Sequence, residues 1–207
     1  MSHNKFQIRN ILSLAWIYQL YQDLVGATNY DRLLASDYIC YKKGQKMMDI
    51  GCGPSDILKF LPSDVDYLGI DLSPKYIEKA RKDFPEQSFI CSDFCNDLNE
   101  VPNECFDIVI AVGVLHHLTN EQADKLHEFA FRKLAPQGRL ITLDGVYTNN
   151  QSRTELFFLQ NDRGKFVRFK DEYLKFASSH FKQTKHSILT KIMRIPYTLI
   201  LIESKKE

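Results

Sequence analysis

The stretch Met47-Met48-Asp49-Ile50-Gly51-Cys52-Gly53-Pro54-Ser55-Asp56 constrains the fold of this chain more than any other. It reads as a buried strand that ends in an acid, then two glycines one residue apart, then an apolar-periodic segment. A strand, a glycine-rich turn and a helix in that order let the backbone approach a ligand closely. A second strand, Tyr67-Leu68-Gly69-Ile70-Asp71, closes in an acid about twenty residues later, the distance at which nucleotide-binding α/β folds place a ribose-binding carboxylate. Together these features predict a cofactor that contains adenosine.

The rest of the chain fits one α/β domain with some decoration. Its 207 residues are 44% hydrophobic and 12% aromatic, enough for a buried core but short of two full domains. Lys and Arg (27) nearly balance Asp and Glu (26), so no global field draws the protein to nucleic acid or to an anionic membrane. The five cysteines are Cys40, Cys52, Cys91, Cys95 and Cys105. Cys91 and Cys95 have no second pair to complete a tetrahedral site, so no metal is expected. An odd count, with three beside core strands, points to a reducing cytoplasm. Lys5 and Arg9 precede an apolar run, Ile11 to Tyr21, which Gln19, Gln22 and Asp23 interrupt or end. That run is too short to span a bilayer, and it reads as a packed helix rather than a membrane insertion or a cleaved leader.

Residues 6 to 42 carry a helical period, with Gly26 dividing a first helix from a second over Tyr30 to Tyr41. This predicts a helical cap or lid over residues 1–44 ahead of the sheet domain at 45–207. On the first helix, Trp16, Tyr18 and Tyr21 either pack against the sheet or form the lid face. From Lys46 the pattern alternates strand and helix, which argues for a mostly parallel sheet. Strands are expected at Met47–Ile50, Tyr67–Asp71, Phe89–Ser92, Ile108–Ala111 and Arg139–Leu143. Ser73-Pro74 and the capping box Thr119 to Gln122 open the intervening helices. Thr148 to Ser152 reads as a polar loop, Asp171–Ser179 as a helix, and Lys182–Leu189 with Tyr197–Glu203 as an antiparallel hairpin at one sheet edge.

Four groups fall at the carboxyl ends of successive strands, where open α/β sheets bind ligands. Gly51 and Gly53 permit close backbone approach. Asp71 can accept both ribose hydroxyls. Asp93 can accept from an exocyclic adenine amine while Phe94 covers the ring. Residues Ala111 to Leu118 form a floor beneath the reactive end. A dinucleotide fingerprint would need glycine at position 56, where Asp56 would instead face a pyrophosphate.

Read in order, these segments resemble class I S-adenosylmethionine-dependent methyltransferases. The matching pieces are Met48-Asp49-Ile50-Gly51-Cys52-Gly53-Pro54, Gly69-Ile70-Asp71-Leu72-Ser73 and Cys91-Ser92-Asp93. They continue with Phe106-Asp107-Ile108-Val109, Leu115-His116-His117-Leu118 and Leu134-Ala135-Pro136-Gln137-Gly138-Arg139, and together cover roughly residues 40–146. The resemblance implies a Rossmann-like sheet of seven strands, one of them antiparallel, with helices on both faces. It implies S-adenosyl-L-methionine held by Asp49, Gly51, Cys52 and Gly53, by Asp71 and Leu72, by Asp93 and Phe94, and by Val112 and Gly113. Ser55 stands where the family usually has a third glycine, which bears on the methionyl end alone.

The acceptor side is less constrained. His116 is the candidate catalytic residue, as a base or positioner of an acceptor hydroxyl, against the reading that one of His116 and His117 packs and the other makes a structural hydrogen bond. Tyr147 and Asp144 are rival acceptor-side residues. The basic run Arg163 to Lys170 reads as a solvated loop, or as a clamp in which Arg163 or Arg168 grips a phosphate or carboxylate. After the fourth strand, Ala111-Val112-Gly113-Val114 lacks the prolines and aromatic of base-amine methylation, and no Pro-Cys or Thr-Cys pair for cytosine chemistry occurs. The expected activity is methyl transfer to oxygen or nitrogen of a small molecule, anionic acceptors included, with no nucleic-acid partner. A cofactor-binding protein without turnover and a nucleotide-dependent oxidoreductase remain alternatives.

Overall fold

Short apolar runs, buried on both faces, build the centre of the sheet. The computed structural model describes residues 27–96, 98–162 and 164–207; the helix expected from residue 6, with Trp16, Tyr18, Tyr21 and Gly26, lies outside the described residues. The strands are β1 (Lys46–Ile50), β2 (Asp66–Asp71), β3 (Ser88–Cys91), β4 (Phe106–Val112), β5 (Leu134–Tyr147), β6 (Arg168–Phe169), β7 (Gln183–Leu189) and β8 (Leu199–Lys205). Seven of them run in the order β3-β2-β1-β4-β5-β8-β7, and the short β6 pairs with the end of β5. β1 to β5 are mutually parallel, and β8 enters antiparallel between β5 and β7. The expected Rossmann-like sheet with one reversed strand is therefore present, with β6 as an extra two-residue strand.

Because strand side chains alternate, odd and even positions feed different cores. Met47, Tyr67, Ile108, Ile110, Ile141, Leu143, Leu199 and Leu201 share one buried cluster with Leu34, Ile39 and Ile77. Met48, Ile50, Ile70, Val109, Ala111, Leu140, Ile200 and Ile202 share the other with Leu126, Phe129, Ala130, Tyr173 and Ala177. Runs that are apolar on both faces belong to strands covered on both sides, as parallel strands are.

The helices are α1 (Ala27–Leu33), α2 (Pro74–Asp83), α3 (Asn120–Lys133), α4 (Arg153–Gln160) and α5 (Lys170–His180). Ser73 caps α2 by accepting from the Tyr76 N–H, and Pro74 opens its first turn. Thr119 and Gln122 close the expected capping box on α3. α1 continues as a π-helical turn, Leu34–Ile39, and stops where Cys40 turns left-handed at φ 43°. The Arg139 guanidinium donates to the carbonyls of Tyr38 and Ile39, supplying partners at that helix end. α4 was not expected. It begins directly after the polar loop Thr148 to Ser152, and Ser152 with Glu155 forms its capping box.

β5 is longer than its expected core, Arg139–Leu143. Leu134 already pairs with Phe106, and the ladder resumes at Ile108 with Arg139 after a bulge in which Gln137 sits at φ 65°. At its far end, Val146 and Tyr147 pair with Arg168 and Phe169 of β6, which brings the segment after α4 to the carboxyl edge of the sheet. Among the described residues, no helix is long and apolar enough to cross a membrane.

Candidate functional site

The turn after β1 is shaped by two left-handed glycines. Gly51 (φ 74°) donates to the Ile70 carbonyl at 2.7 Å, and Gly53 adopts φ 54°. A Cβ on Gly51 would lie 2.5 Å from Val114 Cγ2, whereas one on Gly53 would meet nothing within 4 Å. Gly51 is thus required by packing beneath the turn, while Gly53 borders open space. Gly51→Ala is expected to lower folding stability by about 2 kcal/mol through left-handed strain and this contact. A shift in the urea unfolding midpoint measures it.

Ser55, in the third-glycine position, also adopts left-handed geometry at φ 59°, ψ 38°. A non-glycine residue there costs roughly 1–2 kcal/mol. The buried hydroxyl has a use, because its Oγ lies 3.1 Å from the Tyr67 hydroxyl. Tyr67 in turn donates to Asp49 Oδ2 at 2.7 Å. Burial, partly offset by this bond and reinforced by the charges of Asp71 and Asp31, pushes the Asp49 carboxyl up to about 7. Cys52 contributes backbone only. Its Sγ would lie 2.8 Å from a Cβ on Gly69, so the thiol packs over the neighbouring strand, and burial pushes its pKa up.

Asp71 closes β2 with its carboxylate fixed at both oxygens. Oδ2 accepts the Gly53 N–H at 2.9 Å, and Oδ1 accepts the Ser73 N–H at 2.7 Å. Each oxygen keeps a further acceptor position. Leu72 beside it is 66% exposed. Asp71 pairs in register with Cys91, so Asp93 stands just beyond the same edge. Its Oδ1 accepts the Cys95 N–H at 2.9 Å, and Phe94 leans on Phe129 with ring centroids 6.3 Å apart.

Val112 ends β4, half-buried, and Gly113 follows at φ 67° with its N–H on the Leu143 carbonyl at 2.7 Å. His116 is buried on the next turn. Its Nδ1 lies 2.7 Å from Asp144 Oδ1, its backbone N–H donates to the same oxygen at 3.1 Å, and Nε2 lies 3.5 Å from Asp162 Oδ1. Burial works to lower the His116 pKa, but the Asp144 hydrogen bond and the charges of Asp144 and Asp162 outweigh it and raise it above its ordinary value of 6.5. Both ring nitrogens therefore face carboxylates. Tyr147 packs on Phe169 with centroids 5.7 Å apart.

Arg168 is not an anion clamp. It is 5% exposed and donates to the carbonyls of Leu115, Leu118 and Phe166 and to Asn120 Oδ1. A basic run reads as surface in sequence, yet here the guanidinium supplies donors to a turn whose own carbonyls have no ladder partner. Arg163, the other proposed clamp residue, lies outside the described residues. The described residues contain no group of three or more His, Cys, Asp or Glu placed to hold a metal.

Residues 47–138 match the family profile described as a methyltransferase domain. That segment, somewhat under half of the chain, carries a methyltransferase domain similar to those of S-adenosylmethionine-dependent methyltransferases. Among curated relatives, an uncharacterized methyltransferase of Synechocystis is 28% identical over 134 residues, 62% of each chain. A probable tRNA methyltransferase 9B of mouse is 35% identical over 102 residues, which are 48% of this chain and 22% of that one. The chain thus spans less than two thirds of the length of either relative. The crystal structure of a SAM-dependent methyltransferase from Archaeoglobus fulgidus superposes with a TM-score of 0.73 at 16% identity, covering 91% of this chain and 99% of that one. That likeness concerns the fold.

Sequence reasoning missed three residues of the site region. Asp31 on α1 is half-buried, and burial with the charge of Asp56, offset by Lys59, pushes it up to about 7. Tyr67 was read only as a strand residue. Its parallel neighbour across β1 is Met47, two positions before Asp49 on the same face, so the pairing pattern holds the signal for the Tyr67–Asp49 bond. Asp162 carried no local signal at all.

Proposed function

We propose that this methyltransferase moves the methyl group of S-adenosyl-L-methionine to a nitrogen or oxygen of a small-molecule acceptor. The observation that carries the cofactor assignment is Asp71, held by the Gly53 and Ser73 N–H groups with acceptor capacity to spare, beside exposed Leu72 and the open face of Gly53. A fixed carboxylate, an uncovered apolar side chain and a glycine with room above it suit a ribose and an adenine edge.

Within that reading each residue has a defined task. Asp71 takes the ribose hydroxyls, Leu72 and Phe94 cover the adenine, and Asp93 accepts from its amine. Gly51 and Gly53 let the backbone come close to the amino-acid end, and Asp49 with Asp31 supplies negative charge there. Val112 and Gly113 form the floor. The bound cofactor supplies a sulfonium-activated methyl, so the chain mainly aligns the reactants and excludes water, which together account for several kcal/mol of such barriers. The engagement of both His116 nitrogens favours an amine acceptor, which needs no base once unprotonated. The buried placement of Arg168 withdraws one of the two cations that favoured an anionic acceptor. The tRNA named for the mouse relative weighs little, because the aligned stretch is 48% of this chain.

Incubation with methyl-labelled S-adenosylmethionine and a metabolite extract is expected to yield a labelled small product. Label confined to RNA or protein contradicts the small-molecule part. Tight cofactor binding with no S-adenosylhomocysteine released across a broad panel of amines and alcohols contradicts turnover.

Asp49 gives this reading a pH signature. An acid raised to about 7 stabilises the fold most when protonated, so its contribution is complete below pH 3.8 and is lost as pH rises through about 7. A cationic methionyl group prefers the ionised carboxylate, so cofactor affinity moves the opposite way. Binding is expected to be about tenfold weaker at pH 6 than at pH 8, where Asp49 is mostly ionised. Calorimetry across that range checks it, and Asp49→Asn should flatten the profile.

A further inference from the structure

His116 belongs to a chain of buried polar groups that connects three separate parts of the fold. Asp144 of β5 meets Nδ1 at 2.7 Å, and Asp162, on the stretch after α4, meets Nε2 at 3.5 Å. Asp162 also accepts the Gly164 N–H at 3.0 Å through Oδ1 and the Tyr197 hydroxyl at 2.5 Å through Oδ2. The same stretch lies directly on the histidine. A Cβ on Gly164 would fall 1.9 Å from His116 Cδ2, and the Phe166 N–H donates to the His116 carbonyl at 2.9 Å. Asp144 Oδ2 is buried without a hydrogen-bond partner among the described residues.

The protonation state follows from counting donors. Asp144 Oδ1 already accepts the backbone N–H of His116, and as a carboxylate at 2.7 Å it requires a proton on Nδ1 as well. Burial raises the Asp144 pKa, while the His116 hydrogen bonds and charge favour its ionised form. A neutral imidazole has one N–H, so Nε2 would then present a lone pair to the Asp162 carboxylate. Two acceptors facing each other in a site from which water is largely excluded repel. The contact to Asp162 is attractive only when the ring carries both protons. The orphaned Oδ2 adds to this, since a buried Asp144 anion with one bare oxygen relies on the imidazolium for compensation.

We propose that Asp162, through a doubly protonated His116, is a clasp that pins the stretch carrying Gly164 and Phe166 onto the turn after β4, and that loss of the second proton at rising pH releases it. The released stretch lies on His116, the last turn of the floor that follows β4, so the clasp controls access to the side where an acceptor would enter. The other charged or titratable groups around it are few. His117 stacks on the ring from the same turn with centroids 4.1 Å apart. Arg168 of β6 contributes a positive charge that opposes protonation, and Tyr173 of α5 is coupled to Asp144 by charge. Tyr197, between β7 and β8, donates to Asp162 and is coupled by charge to Asp144 as well.

The sign is fixed by the raised pKa of His116. Its stabilising contribution is complete below pH 6.5 and is lost as pH rises through the higher value it has when folded. The test uses the cofactor-free chain, so its failure and that of the methyl-transfer reading are separable. Histidine ring carbons are titrated by NMR between pH 5.5 and 9, and amide exchange is followed at Gly164 and Phe166, corrected for intrinsic rates. His116 should titrate above 6.5, with the two amides losing about tenfold or more of their protection through that step. Ile110, at the sheet centre, should show no such step. Asp162→Asn should lower the His116 midpoint and abolish the step in protection, whereas His117→Gln should preserve both. Flat protection at Gly164 and Phe166 through the His116 titration overturns the clasp, whatever the midpoint. So does a midpoint at or below 6.5. If Asp162→Asn does not fold, the wild-type titration alone decides.

Discussion

Replacing Asp71 by alanine is expected to weaken S-adenosylmethionine binding by at least ~100-fold, because each hydrogen bond to a charged group is worth about 1.5–3 kcal/mol and a ribose diol makes two. The side chain acts twice. It presents acceptors at the edge of β2, and it fixes the bend after β1 by taking the Gly53 N–H at 2.9 Å and the Ser73 N–H at 2.7 Å. Both amides lie at a surface where water can replace the carboxylate, so the loss of folding stability should be small, about 1 kcal/mol. Calorimetric titration paired with thermal unfolding separates the two effects. Asp71→Asn keeps the size but puts an amide NH2 against at least one backbone donor, and should recover less than a tenth of the lost affinity. Unchanged binding in Asp71→Ala would remove the ribose assignment.

Arg168→Ala is expected to destabilise the fold by about 3 kcal/mol, which for a domain of this size lowers the melting temperature by roughly 10 °C. The guanidinium gathers the carbonyls of Leu115 and Leu118, the Phe166 carbonyl and Asn120 Oδ1, so its removal takes a charged donor from four acceptors at once, of which the Leu115 carbonyl keeps the Leu118 N–H. Its flat face also lies near the rings of Phe166, Tyr173 and Phe176, at 5.8, 5.8 and 5.2 Å from their centroids. Arg168→Lys keeps the charge but cannot serve divergent carbonyls with one ammonium, and should restore less than half of the loss. Circular dichroism during heating measures both variants. Unaltered melting, together with a raised KM for an anionic acceptor, would return Arg168 to the role of a ligand clamp.

What the sequence revealed follows from the range of the forces involved. β1 to β4 are legible because a short apolar run bounded by turn residues is a local property, and Asp71 and Asp93 stand out because an acid at a strand end has no packing reason to be there. α4 was readable too, since Ser152 and Glu155 have capping-box spacing, but the aromatic and basic residues that follow obscured it. β6 is two residues long and exists only as a pairing with β5, so no pattern could announce it. The polar interior was the least visible part. His116 finds Asp144 28 positions away, and Arg168 finds Leu115 53 positions away. Sequence can flag a histidine or an arginine run, but which carbonyl or carboxylate meets it depends on tertiary closure. That is why His116 looked available to an acceptor and Arg168 looked available to an anion, while both are engaged within the fold.

The most direct measurement is a crystal structure of the chain grown with S-adenosylhomocysteine. The ribose hydroxyls should lie within about 2.5–3.2 Å of the two Asp71 carboxylate oxygens, with the adenine over Leu72 and Phe94 and its amine toward Asp93. A nucleoside bound elsewhere on the molecule, or one whose ribose turns away from Asp71, would contradict it.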